Sequence, residues 1–472
     1  MNRKGFVFFT LLSLIFLAAC GVLEVGVEHA GTSEVTATSA LTVITRELTR
    51  VATATSAPAT ATPTVSVPAP TKTPEPTATS TQAPEPTLPV AEGSVLQVAF
   101  VREGNVWLWN KDEGTRALTS AGDVSDVRIS DDGEIVAFVR GFELWAVNSD
   151  GTGERTLIDI EDIASMVERG DPGVRLYQFG WVPGRHVVAF NTRAHMDVGL
   201  VLFDDLQWVD ANTLERSVLL PRGEGGQFTY SPDGSQIALV RSGTVTLVDA
   251  DGGNRREAFT YTPPVTRSEF QYYVQPVWAA DSKSLRVGVP PADPFAQPPQ
   301  LSTVWHVHTD GRAARLLATI NAQGLDQNAF SPDLGYVAYV EQSGGMSPGS
   351  GDGVLLVTDL DSGETVTYHG GVGSVYGWAP DSLRFAFMVR DQHTQAQIGM
   401  LGSEPVPAHG DPDVTTIDVR WLDTSRYLYT TITGDAKSLF LSEIGGASTV
   451  VATVNVRSLV YDFCLCRKVS SP

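Results

Sequence analysis

From Leu96 to Phe463 the chain alternates short apolar runs with compact polar turns, and one turn phrase keeps returning. Tyr230-Ser-Pro-Asp-Gly234 leads into QIALV, Phe330-Ser-Pro-Asp-Leu334 into YVAYV, and Trp378-Ala-Pro-Asp-Ser382 into RFAFMV. Looser copies begin at Ile129, Trp181, Trp278 and Trp421, so the leading residues stand 43 to 52 positions apart. Self-similarity at this period marks a repeat architecture. Each unit has the same grammar. An inner apolar stretch ends in an aromatic or Ile, and a Ser-Pro-Asp-Gly turn reverses the chain, with Pro presetting φ and Asp or Gly tolerating the tight bend. A buried run rich in Val, Phe and Tyr follows. A third strand (Glu143–Asn148, Thr244–Asp249, Val354–Asp359), a second polar turn such as SDGTGE or LDSGE, and a short fourth strand close the unit. Four antiparallel strands with short turns and almost no helix make a β-propeller blade. A blade has two apolar faces and cannot bury both alone, so neighbours stack around an axis.

The ends set the count. QVAFV after Leu96, VWLWN after Asn105 and RALT after Thr115 read as strands two, three and four of a blade whose first strand is missing. Asn455–Phe463 is a strand without a hairpin, and Phe463 falls 42 residues past Trp421, where the next aromatic belongs. The last strand is therefore expected to complete the first blade. This gives an all-β propeller of eight blades, with seven as the alternative because GluProValProAlaHisGly at 404–410 makes a poor fourth strand. Closure hides sheet edges.

Phrases such as YSPDGSQIALV and ELWAVNSDGTGERTL resemble the TolB-type, WD-like propeller repeat, which also builds the propeller of dipeptidyl-peptidase-IV and prolyl-oligopeptidase relatives. The resemblance covers residues 96 to 463. It implies the fold and leaves the activity open, because such folds host many functions. The separate N-terminal α/β domain of TolB has no counterpart here.

The front of the chain is different in kind. Met1–Ala19 has Arg3 and Lys4 before an apolar core from Phe6 to Leu17, too short for a stable span. It ends in Leu17-Ala18-Ala19-Cys20, which resembles a bacterial lipobox. That resemblance implies that Cys20 becomes the N-terminus and carries lipid through its sulfur, a firm anchor when several acyl chains are present. Residues 20–95 are rich in Thr, Pro and Ala and cannot build a core. They read as a stalk, about 200 Å long at polyproline pitch and about 45 Å as a flexible coil. Its Thr-Pro density suits O-glycosylation. The expected domains are thus 1–19 signal, 20–95 lipidated stalk and 96–472 propeller, on the extracytoplasmic side of a cell membrane.

Charge and cysteine usage narrow the partners. The chain carries a net charge of −21, nearly all of it on the head, since the stalk holds seven Glu against three basic residues and the signal adds two. An acidic head argues against nucleic acid and direct contact with anionic lipid. Only Cys464 and Cys466 fall in the head, so no disulfide scaffold is expected. No cofactor is expected, although the Asp/Gly turns have room for structural calcium.

Candidate chemistry is sparse. Gly345-Met-Ser347-Pro-Gly349 matches a nucleophile elbow but lies between two strands without the following helix the elbow needs. His306 and His308 share one strand face, as two metal ligands would, but a third is not evident. Cys464 and Cys466 follow the closing strand and could hold a soft metal or oxidise together. Trp107, Trp109, Trp145 and Trp305 recur by blade and read as packing between blades. Arg128, Gln178, Arg420 and Arg457 fall on inner strands, too varied to define a reaction. No catalytic or metal-binding residue is assigned.

Loop lengths give the sharper expectation. Turns from strand one to two and three to four lie on one end of a propeller and are uniformly short here. Long insertions (192–205, 289–302, 341–353, 390–397, 159–173 and 261–273) fall almost entirely on the other end. Insertions gathered on one end often build a binding face. Its expected contact groups are Phe270, Tyr272, Tyr273, Phe295, Arg193, His195 and His393, since aromatics and Arg anchor interfaces. The expected function is a non-enzymatic, lipid-anchored binding or scaffold protein with a monomeric head that holds a protein, peptide or glycan. The alternatives are a hydrolase or lyase working in the central funnel, and a TolB-like envelope assembly partner.

Overall fold

The computed structural model describes residues 94–195, 200–268, 270–296, 299–322, 325–341, 353–390, 394–411, 413–455 and 459–467. These form eight antiparallel sheets arranged as the blades of one propeller. Blade 1 runs from the inside outward as Tyr461–Arg467, Ser94–Arg102, Asn105–Asn110 and Gly114–Ala117. The last strand therefore closes the ring, with Phe463 opposite Val98 and Cys464 opposite Gln97. It extends beyond the expected Phe463 and carries both cysteines, which are joined to one another. Blades 2 to 5 start with Val124–Ile129, Val174–Trp181, Gln227–Tyr230 and Val277–Trp278, and blades 7 and 8 with Val372–Trp378 and Thr415–Trp421.

Two blades are irregular for readable reasons. The innermost strand of blade 6 shrinks to a single bridge between Phe330 and Val337. Asp326 instead caps a 3₁₀ turn at Gln327–Ala329 by accepting from Asn328 N at 2.9 Å. The weak fourth strand of blade 7 survives as Val406–Pro407 at a sheet edge, where Pro is tolerated.

Packing explains the ring. The buried apolar residues divide into eight clusters, one at each seam between blades. Ala338, Leu355 and Val357 of blade 6, for example, meet Val372, Trp378, Phe385 and Phe387 of blade 7. No blade has a private core, so each is stable only between two neighbours. The third-strand Trp107, Trp145 and Trp305 lie half-buried against three of these clusters and Trp109 is buried in one, as expected of packing between blades.

The repeated phrase joins blades as well as strands. Ser130, Ser231 and Ser331 each donate to the Asp two residues on at 2.6 Å. That carboxylate accepts the N–H two residues further, at 3.1, 3.0 and 2.9 Å. Asp233 N and Asp333 N then donate to Ser282 and Ser382 of the next blade at 3.2 and 3.0 Å. The leading Trp has its own partner. Trp181, Trp278, Trp378 and Trp421 donate their indole N–H to Arg128 O, Thr229 O, Ala329 O and Gly377 O of the preceding inner strand, at 3.0 to 3.2 Å.

These turns make stability sensitive to acid. The Ser231 hydroxyl, then the N–H and hydroxyl of Ser235, hold Asp233 down to about 2. Backbone N–H groups of Ser362 and Asp361 lower Asp359 in the same way. A carboxyl lowered by folding contributes stability above its unfolded value of about 3.9 and loses it as pH falls through the folded value. Asp204, Asp326 and Asp462 are raised by burial, and they act with the opposite sign at higher pH. Urea unfolding is therefore expected to show a falling free energy between about pH 4 and pH 2, with a shallower slope in Asp233→Asn. A flat profile over that range would contradict this account.

Candidate functional site

Inner strands start at the insertion-rich end and run toward the short turns, so their residues line the channel in a fixed order. The position three before each phrase aromatic carries Asp126, Gln178, Gln227, Gln275, Gln327 and Asp418 in six of the eight blades. Three of them, Gln178, Gln227 and Gln275, reach the neighbouring blade. Gln178 donates to Phe228 O at 2.8 Å and accepts from Phe228 N at 3.1 Å, as a strand neighbour would. Gln227 donates to the Tyr177 hydroxyl at 3.1 Å, and Gln275 accepts from Gln327 N at 3.4 Å.

At the blade 8/1/2 side the channel is charged and self-paired. Arg420 bonds Asp418 at 3.0 Å and lies 4.3 Å from the Tyr461 ring centre, while the Tyr461 hydroxyl donates to Asp418 at 2.8 Å. Burial, then the Asp418 charge, pushes Tyr461 well above its ordinary range, so it stays protonated. Arg128 pairs with Asp126 at 2.7 Å. Asp462 accepts from Ile129 N of blade 2 at 3.0 Å. Arg128, Gln178 and Arg420 thus serve the ring itself; Arg457 lies outside the described residues.

The blade 4 to 7 side is open. A cavity of about 940 Å³ is lined by 263–268 and 270–272, including Arg267, Phe270 and Tyr272. A second, of about 340 Å³, shares Tyr272 and reaches into the channel mouth between the starts of the blade 5, 6 and 7 inner strands, past Tyr273, Gln275, Asp326, Tyr339 and Ser374. A third, of about 610 Å³, lies between 259–262 and the blade 5 insertion. The insertions hold one another: Val265 N donates to Ala292 O at 2.9 Å, and Arg267 stacks 4.2 Å from the Phe295 ring centre. Arg390 packs against Gly373 on the blade 7 wall. Burial, then Tyr261 and Asp326, raises Tyr272 to about 12; burial, then Asp204 and Tyr177, does the same for Tyr273. Both present neutral hydroxyls. Asp326 is open to solvent yet enclosed by protein on most sides, and this desolvation raises it.

Of the expected contact groups, Phe270 and Phe295 are exposed and Tyr272 and Tyr273 half-buried around these cavities. Arg193 acts on the ionisation of Tyr177, which in turn acts on Tyr273. His195 belongs to the blade 2/3 side, 2.5 Å from Arg175 and 6.0 Å from the Phe142 ring centre. His393, Ser347 and Cys20 lie outside the described residues. Asp326, Gln275, Tyr339 and Ser374 were not singled out from the sequence; Gln275 was within reach through the position three before the phrase aromatic.

Two other groupings bear on metals. His306 Nδ1 meets the Arg286 guanidinium at 2.5 Å, and Nε2 meets His308 at 3.1 Å. Burial, then the charge of Arg286, lowers His306 to about 4. A guanidinium against the ring opposes a second cation there. At the short-turn end, Asp132, Glu134 and His186 bring three ligand atoms within 4.8 Å of one another. His186 Nε2 lies 2.7 Å from Asp132 across the blade 2/3 seam, and Nδ1 faces Asn212 of its own blade at 3.1 Å, so both ring nitrogens are engaged.

No known protein family matches the chain, and no curated protein matches it. Among solved structures it is similar to oligogalacturonate lyase from Vibrio parahaemolyticus, with a TM-score of 0.44 and 12% identity over 63% of this chain and 84% of that one. Dipeptidyl peptidase 4 from Porphyromonas gingivalis aligns with a TM-score of 0.43 and 13% identity, over 69% and 53%. TolB from Acinetobacter baumannii aligns with a TM-score of 0.35 and 10% identity, over 78% and 66%. These likenesses concern the propeller alone. They correct one expectation: propellers similar to this one occur in a lyase and in peptidases, so a non-enzymatic role does not follow from the repeat.

Proposed function

We propose that the insertion-rich end of the propeller is a ligand-capture surface, displayed outside the cytoplasmic membrane on a lipid-anchored stalk. The observation that carries the reading is a pair of hollows, an open one of about 940 Å³ and a smaller one of about 340 Å³, that both have Tyr272 in their walls. Pockets of this size with exposed aromatics and a few polar groups are where ligands bind. No helix among the described residues is long and apolar enough to cross a membrane. The anchor rests on the lipobox resemblance at Cys20.

The test is a peptide and oligosaccharide array probed with the full chain, then with a variant whose blade 5 insertion, residues 290–301, is replaced by a two-residue Asn-Gly turn. Binding to the strongest ligands is expected to fall at least about tenfold while the melting curve is kept. Equal binding by a folded variant would remove the insertion from the site. Acid hydrolysis of the purified lipoprotein should release fatty acid, and Cys20→Ser should abolish it.

A further inference from the structure

We infer that the channel-mouth cavity receives a single cationic side chain, the ammonium or guanidinium of a Lys- or Arg-bearing peptide segment. The inference rests on the capture surface proposed above and specifies its ligand. The cavity of about 340 Å³ has the chemistry of a cation cage: three tyrosines (Tyr272, Tyr273 and Tyr339), the Gln275 amide, the Ser374 hydroxyl and the Asp326 carboxylate, with no Lys, Arg or His among the described lining residues, while Arg390 packs behind Gly373 of the wall. Aromatic faces attract cations through their quadrupole, and do so more strongly where water is reduced.

Asp326 is the decisive group. Asp126 and Asp418, elsewhere in the channel, each have an arginine within 3.0 Å. Among the described residues no basic side chain pairs with Asp326, whose carboxylate accepts from Asn328 N at 2.9 Å. The carboxylate is open to solvent, so an incoming cation reaches it and gains charge-assisted hydrogen bonding. The larger open hollow, which shares Tyr272 in its wall, gives room for the segment that carries the cation. The strongly acidic head favours approach of a basic segment.

The experiment titrates the full chain with two acetylated, amidated tripeptides, Gly-Lys-Gly and Gly-norleucine-Gly, which differ only in the charged terminus. Binding is read by tyrosine fluorescence and calorimetry. The Lys peptide is expected to bind at least about tenfold more tightly than the norleucine peptide. Asp326→Asn should erase that difference. Asp435→Asn, which removes the same charge from an exposed turn of blade 8 on the same end, should preserve it. Equal binding of the two peptides, binding of neither, or the same loss in Asp435→Asn overturns the cation pocket. The capture surface fails separately, through the insertion replacement. Melting curves of both variants confirm folding, and Tyr273→Ala gives a second variant in which weakened Lys binding with unchanged stability is required.

Discussion

Removal of residues 455–472 is expected to unfold the whole head rather than loosen one blade. The closing strand pairs with Ser94–Arg102 over seven register positions. Its Tyr461, Cys464 and Cys466 are buried, and it covers Val98 and Phe100, which are fully buried. Asp462 adds the bond to Ile129 N in blade 2. Exposing four or five such side chains costs about 1.5–3 kcal/mol each, so the total is on the order of 10 kcal/mol. A domain's whole stability is about 5–15 kcal/mol. The loss does not stay local, because every blade borrows its core from two neighbours and an open ring exposes two apolar seams at once. The truncated chain should lose its cooperative thermal transition and aggregate, and a synthetic peptide of residues 455–472 should restore part of the transition. A truncated chain that melts within a few degrees of the intact one would refute closure as the source of stability.

Trp378→Ala is expected to cost about 3–5 kcal/mol, the range for emptying a buried aromatic site. Trp378 is buried at the blade 6/7 seam, where its ring centre lies 4.9 Å from Phe385 and 6.0 Å from Tyr336. Trp378→Phe separates the contributions: it keeps most of the apolar volume and loses the indole bond to Ala329 O at 3.0 Å. Losing the donor leaves a buried carbonyl unpaired, so about 1–3 kcal/mol is expected. Trp107→Ala, at a half-buried third-strand position, should cost less than Trp378→Ala. Urea midpoints for the three variants check the order. Equal midpoints for Trp378→Ala and Trp107→Ala would show that the phrase Trp has no special place at the seam.

The sequence carried the fold because the fold is local and repeated. Turn chemistry at Ser231-Pro232-Asp233 sets one hairpin, and the same chemistry at Ser331 and Ser130 sets others. Their spacing alone predicts the eighth blade and its missing strand. The limits appear where a feature depends on neighbours distant in sequence. Cys464 and Cys466 looked like a tail beyond the last strand because no apolar run follows them. They belong to the strand because the edge of Ser94–Val98 is there to pair with. Asp326 lies in a polar stretch, NAQGLDQNA, that resembles an ordinary connection. It lines a cavity with Tyr272 and Tyr339, 54 residues before and 13 after it, and no linear pattern brings those residues to one wall. Tyr272 and Tyr273 were legible because they stand in a long insertion with little else to explain aromatic residues there.

The position of the strand Ser94–Arg102 has a mechanical consequence. It is hydrogen-bonded on both sides, to Asn105–Asn110 and to Tyr461–Arg467. A pull on Ser94 acts along this strand and loads both rows of bonds lengthwise, in shear, so they share the force and fail together. A peeling load would break them one at a time. A head held at Ser94 and tugged from its far end would thus resist extraction through a strand gripped on both sides, and its lifetime under load would follow the unfolding rate rather than the equilibrium stability.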